Sequence, residues 1–151
     1  MTDIADRKEK IGGRILGVDY GDVRTGLAVS DPTGFLASGI GTIRPGGMQH
    51  TAVAVAAEAE KQGARKIVIG LPKNMDGSEG FRAEAVRAFA ALLAKETELP
   101  LEFYDERLST AEAHQILNLT ETGGKKRKKV IDTLSAQIIL QNYLDANKGK
   151  L

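Results

Sequence analysis

A single α/β domain, built on a mixed five-stranded sheet flanked by helices, is predicted by three observations. Apolar stretches at residues 14–20, 25–30 and 36–43 are joined by the turn-rich links "YGDVR" and "DPTG", short enough for antiparallel hairpins. Two later stretches, "KIVIGLP" and "LEFYDE", alternate with helical patterns, as parallel strands with helical crossovers do. The chain has 151 residues, 42% of them hydrophobic, enough for one core without staples.

The elements follow in order. Residues 1–13 are polar and weakly patterned, so they read as a loose lead-in to one domain over 14–147. After the three hairpin strands, residues 49–62 are alanine-rich and stop at Gly63, which reads as a helix. "KIVIGLP" is β-branched and apolar throughout, ended by Gly70 and Pro72, so it should be central and parallel. Residues 79–96 form a helix with Phe81, Ala85, Ala88, Phe89 and Leu92 at helical spacing. "LEFYDE" is the fifth strand. Ser109 with Glu112 then makes a capping box for a helix reaching about Leu119. "TETGGKKRKK" reads as a flexible basic connector, and a last helix runs over 130–147. The first strand should lie near the middle of the sheet, with the two later strands parallel to it.

Composition narrows the chemistry. Lys and Arg number 21 against 20 for Asp and Glu, so net charge points to no partner. The absence of cysteine excludes disulfides, thiolate metal sites and a cysteine nucleophile. Two histidines far apart, His50 and His114, do not suggest a zinc site. No apolar run approaches the roughly 18 residues of a membrane helix, and no signal-peptide pattern opens the chain, so a cytoplasmic location is expected.

Ligands of such sheets gather beyond the carboxyl ends of the parallel strands. Asp19, Asp105 and Glu106 end strands there, and Asp132 is expected in the first turn of the last helix, on the face of Ser135, Ala136 and Ile139. Each has an ordinary explanation: a turn former, a partner for Arg107, a charge at a helix start. Converging together, they would repel unless cations compensate. Mg²⁺ or Mn²⁺ suit all-oxygen ligands, and two such ions support phosphodiester hydrolysis. Lys125, Lys126, Arg127, Lys128 and Lys129 precede Asp132 and would draw in a phosphate backbone. No aromatics interleave them, so base stacking from that run is not indicated. In "GLPKNMDGSEG", Lys73, Asn74 and the amides at the helix start could touch phosphate, or the segment could be a plain connection; it lacks Walker spacing.

"GVDYGDVRTGLAVSD", "VIGLPKNMDGSEG", "YDERLSTAEA" and "KKRKKVIDTLSAQIILQNYL", in that order, resemble the successive motifs of the YqgF family, also called the RuvX family. The likeness runs from Arg14 to about Leu144. The family is named for Holliday junction resolution and for pre-16S ribosomal RNA maturation. The resemblance implies a ribonuclease H-like fold and an acidic triad at Asp19, Glu106 and Asp132, with Asp105 the weaker candidate in the same motif. It also gives Arg24, Lys73 and Arg107 substrate roles. The implied function is a metal-dependent endonuclease on structured nucleic acid, foremost the 5′ end of pre-16S ribosomal RNA, with Asp19 bridging two ions. A DNA-junction resolvase is the alternative, and a non-catalytic ribosome assembly factor is the alternative of another class. "DYGDVRTG" also resembles the phosphate turn of sugar kinases and actin-like ATPases, but those close two such domains around ATP. Either a monomer or a homodimer is compatible with these readings.

Overall fold

The computed structural model describes residues 7, 12–107 and 124–149, and over 124–132 it describes the helix backbone alone. The elements are β1 (Arg14–Asp19), β2 (Thr25–Ser30), β3 (Ala37–Ile43), α1 (Met48–Lys61), β4 (Ala64–Leu71), α2 (Phe81–Glu96), β5 (Leu101–Asp105) and α3 (Gly124–Ala146). The sheet order is β3-β2-β1-β4-β5. β1 is antiparallel to β2 and parallel to β4; β2 and β3 are antiparallel, and β4 and β5 parallel. The mixed sheet with β1 at its centre is therefore as expected. The helix expected at 109–119 lies outside the described residues. None of the described helices is long and apolar enough to cross a membrane.

Alternation along the strands divides the core in two. Leu16, Val18, Leu27, Ile67, Ile69 and Leu71 face one way, packing with Val55 of α1 and with Phe89 and Leu93 of α2. Ile15, Ala28, Ala37 and Val68 face the other way, against Ala136, Leu140, Tyr143 and Leu144 of α3. Three layers result, with α1 and α2 on one face of the sheet and α3 on the other.

Glycines set how close α3 can come. A Cβ on Gly17 would lie 2.8 Å from the Leu140 Cβ, and one on Gly39 would lie 2.5 Å from the Thr133 Cγ2. Both positions fall in one row across the sheet, since Gly39 pairs with Ala28 and Ala28 with Gly17. The helix backbone thus rests almost on the strands, where side chains would hold it away.

Several expectations need correction. The last helix starts at Gly124 rather than 130, so Lys125 to Lys129 lie within it instead of forming a connector. Lys and Arg are good helix formers, and extending an existing helix is far easier than nucleating one. Asp132 therefore stands more than two turns into α3, and a role in the first turn is excluded. In α2 the buried residues are Ala83, Val86, Phe89, Ala90 and Leu93, while Phe81 is 79% exposed and Ala88 is exposed as well. The helix is apolar around much of its girth, so two stripes fit the 3.6-residue period. Phe89 lies in both stripes and stacks on Tyr20 with centroids 4.4 Å apart, while Ala83, Val86 and Leu93 turn inward beside it. Helix α2 also begins after Gly80, leaving Glu79 outside to pair with Arg87 at 2.7 Å.

Within the 1–13 segment, Arg7 has a definite place. Its guanidinium donates to the carbonyls of Ala94 (2.9 Å), Thr97 and Leu99 (3.4 Å), where the end of α2 concentrates unpaired acceptors.

Candidate functional site

Asp19 is the last residue of β1, and its parity is that of Ile15 and Gly17, so it belongs to the α3 side of the sheet. On β5, Phe103 packs with the α1–α2 core and Tyr104 with the α3-side core. Alternation then assigns Asp105 to the first side and Glu106 to the second. Glu106 continues the pairing, its amide donating to the Leu71 carbonyl at 3.2 Å. Its carboxylate folds back over Gly70, where any Cβ would collide with Oε2 and would lie 2.7 Å from the Ile139 Cδ1. Gly70 does not end β4, as the sequence suggested; it pairs with Tyr104 inside the strand and leaves room for this carboxylate.

Asp19 and Glu106 engage each other side chain to side chain. Burial pushes the Glu106 carboxyl above its ordinary range and the Asp105 charge adds to the rise, while the Arg82 charge and the bond with Asp19 oppose it. Glu106 Oε2 is buried without a hydrogen-bond partner among the described residues. Two carboxylates at hydrogen-bonding range need a proton or a cation between them. This all-oxygen pair, with one oxygen unsatisfied, fits a hard divalent cation. Position 132 on α3 precedes the buried Ser135, Ala136 and Ile139 by three, four and seven residues, which places it on the sheet-facing side. The Asp132 side chain lies outside the described residues, and among those described no group of three potential metal ligands comes together.

The other expected residues sort differently. Asp105 is held by Arg107, whose Nη2 lies 2.6 Å from Oδ2 and whose amide donates to Oδ1 at 3.1 Å. These contacts hold the Asp105 carboxyl below its ordinary range against the opposing effect of burial. Arg107 also reaches the Met75 carbonyl at 3.4 Å, tying β5 to the loop after β4. Lys73 is half-buried just beyond β4, close enough that its charge lowers both Asp105 and Glu79. Asn74 serves its own loop: its Nδ2 donates to Ser78 Oγ at 3.0 Å, and its carbonyl accepts from the Gly77 amide at 2.8 Å. Gly77, at φ 88°, makes that turn possible. Arg24 is half-buried and engaged within the protein. Its carbonyl leaves no space for a Cβ at Gly21, so the glycine closes the β1–β2 turn. The side chains of Lys125 to Lys129 lie outside the described residues.

Two features were missed in the sequence. Arg82 acts on Glu106 from the first turn of α2. A cation placed where the helix dipole disfavours it was the available signal. Gly70 was the second, a glycine inside an otherwise β-branched strand.

Comparison with known proteins bears on this arrangement. A family model described as "RuvX: Holliday junction resolvase" matches residues 13–146. A Pelotomaculum thermopropionicum protein named "Putative pre-16S rRNA nuclease" is 45% identical over 134 residues, 88% of this chain and 87% of its own. Proteins of the same name from Leuconostoc citreum (47% identical, 89% of this chain and 96% of theirs) and Clostridioides difficile (46%, 89% and 96%) match comparably. Among solved structures, "T. thermophilus RuvC in complex with Holliday junction substrate" superposes with TM-score 0.55 at 14% identity, covering 91% of this chain and 97% of that one. A fowlpox virus resolvase bound to Holliday junction DNA gives 0.56 at 12% identity, covering 89% and 99%. At those identities the likeness concerns the fold, which is that of RuvC-like, ribonuclease H-like proteins.

Proposed function

The chain belongs to the RuvX family, and from that premise we propose a divalent-metal-dependent endonuclease that hydrolyses phosphodiester bonds near the 5′ end of pre-16S ribosomal RNA. The observation that carries the reading is the meeting of the Asp19 and Glu106 carboxylates over Gly70, with a buried oxygen left unsatisfied.

Asp19 and Glu106 would hold Mg²⁺ or Mn²⁺, with Asp132 arriving from α3 as the third ligand and Asp105 left to Arg107. A cation in that place supplies charge neutralisation at the scissile phosphate and an acidified water. The protein's own groups do the positioning. β1 and β5 are rigid elements, which fix carboxylates more closely than loops could. Arg82 and Lys73 present positive charge to the phosphate, and Arg107 steadies the loop beside it. Lys125 to Lys129 would extend the cationic surface along the backbone of the nucleic acid.

Asp19→Asn should bring cleavage of precursor 16S ribosomal RNA below detection in Mg²⁺ or Mn²⁺, with an unchanged circular dichroism spectrum. Full activity in that variant would sink the proposal. The family's own description favours a second substrate, the four-way DNA junction. Assaying both substrates side by side with the same two proteins decides between them.

A further inference from the structure

We infer that Phe81 is a stacking platform for an unpaired nucleobase next to the scissile phosphate, an inference that rests on the nuclease reading above. Phe81 and Met75, each 79% exposed, are the two most exposed large apolar side chains among the described residues. Met75 lies in the loop between β4 and α2, and Phe81 opens α2, at the sheet edge where the carboxylates sit.

Phe81 lines a shallow groove with Tyr20, Asp22, Arg82, Ala85 and Val86. Two members tie that groove to the site: Tyr20 follows Asp19 directly, and Arg82, next to Phe81, acts on Glu106. The Tyr20 ring is already committed to Phe89, with an interplanar angle of 17°, so Phe81 is the ring free to receive a planar ligand. The groove's charges sort the parts of a nucleotide. Arg82 attracts a phosphate, while Asp22 repels one, leaving the neutral, flat base to turn toward Phe81. Every base has a π-face, so such a platform is tolerant of sequence. Bases inside a duplex have their faces covered, so the nucleotide that fits here is unpaired.

The chain contains no tryptophan, so Phe81→Trp installs a unique fluorophore in the groove. The variant is titrated in EDTA with a single-stranded oligonucleotide, with the same strand carrying abasic positions, and with a duplex, while anisotropy of labelled strands reports binding. The expected result is saturable quenching by the intact single strand and none by the abasic one. Phe81→Ala should weaken single-strand binding roughly 5- to 100-fold and duplex binding much less. Binding with unchanged fluorescence, or wild-type affinity in Phe81→Ala, would overturn the platform alone. A fluorescence change that follows protein concentration without nucleic acid would mean that a second copy covers Phe81, and would also overturn it. Absence of any nucleic-acid binding would remove the platform and the nuclease reading together. Quenching without cleavage of any substrate would remove the nuclease reading and leave the platform standing.

Discussion

The two faces of the sheet are built on opposite principles. Toward α1 and α2, the strands present Leu16, Val18, Ile67 and Ile69, and Phe89 fills the space between layers. Toward α3, the corresponding positions are Gly17, Gly39, Ala28 and Gly70, and the helix comes down nearly onto the strands. The first face gains stability from buried volume. The second gives up volume for proximity, and proximity is what lets Glu106, Ile139 and the sheet meet over Gly70. A carboxylate pair needs that closeness more than it needs apolar area. One sheet therefore carries most of its core on one side and its carboxylate pair on the other.

Phe89→Ala should break the first face, lowering unfolding free energy by about 3–5 kcal/mol through lost transfer energy and a cavity beside Tyr20. Urea denaturation reads this, and cleavage per folded molecule should change far less. Gly70→Ala tests the second face from the opposite direction. The Glu106 carboxylate and the Ile139 methyl can swing away from the new Cβ, so the fold should lose little. A displaced carboxylate should nonetheless lower cleavage by about tenfold to a hundredfold. Equal losses of stability and activity would show that the glycine serves packing alone.

Gly17→Ala separates packing from chemistry on that same face. Its Cβ would press on the Leu140 Cβ and lie 3.4 Å from the Ala136 carbonyl, so the helix itself must shift, at a cost of about 1–3 kcal/mol. In a Leu140→Gly background, which removes that Cβ, the same change should cost clearly less, and a double-mutant cycle measures the difference. Asp31 gives the smallest effect, at the hairpin bordering the α3 face. Its carboxylate accepts from the Phe35 and Leu36 amides, each at 2.8 Å, and from Thr33. These bonds, led by the Thr33 hydroxyl, hold its pKa far below the usual carboxylate value. A folded-state pKa below the unfolded value of about 3.9 stabilises the fold above that pH, and the gain disappears as pH falls toward the folded value. Asp31→Asn should therefore lower the urea midpoint slightly near neutral pH, with the difference from wild type vanishing in strong acid.

Much of this was legible in the sequence, and the failures have physical causes. Strand periodicity and hairpin links are local signals, so β1, β2 and β3 emerged within a residue of their observed bounds. "KIVIGLP" read as a buried parallel strand because a strand covered on both faces must be apolar throughout. The phase of α2 was not local. Its apolar residues surround much of the helix, and packing against α1 and the sheet decided which residues beside Phe89 went inside. The basic run was misjudged because its charge was weighed and its helix propensity was not.

The sequence by itself determined the order of elements, the place of Asp19 at the end of a central strand and the all-oxygen character of the candidate ligands. These depend on residue type and short-range pattern, which a chain carries before it folds. Only the tertiary structure decided that Glu106, rather than its neighbour Asp105, shares a side with Asp19. That choice rests on the two-residue alternation of β5, on the register between β4 and β5, and on the space Gly70 leaves open. Likewise, Phe81 became a surface ring beside the site because packing elsewhere turned α2, and no local feature of the sequence specified that turn.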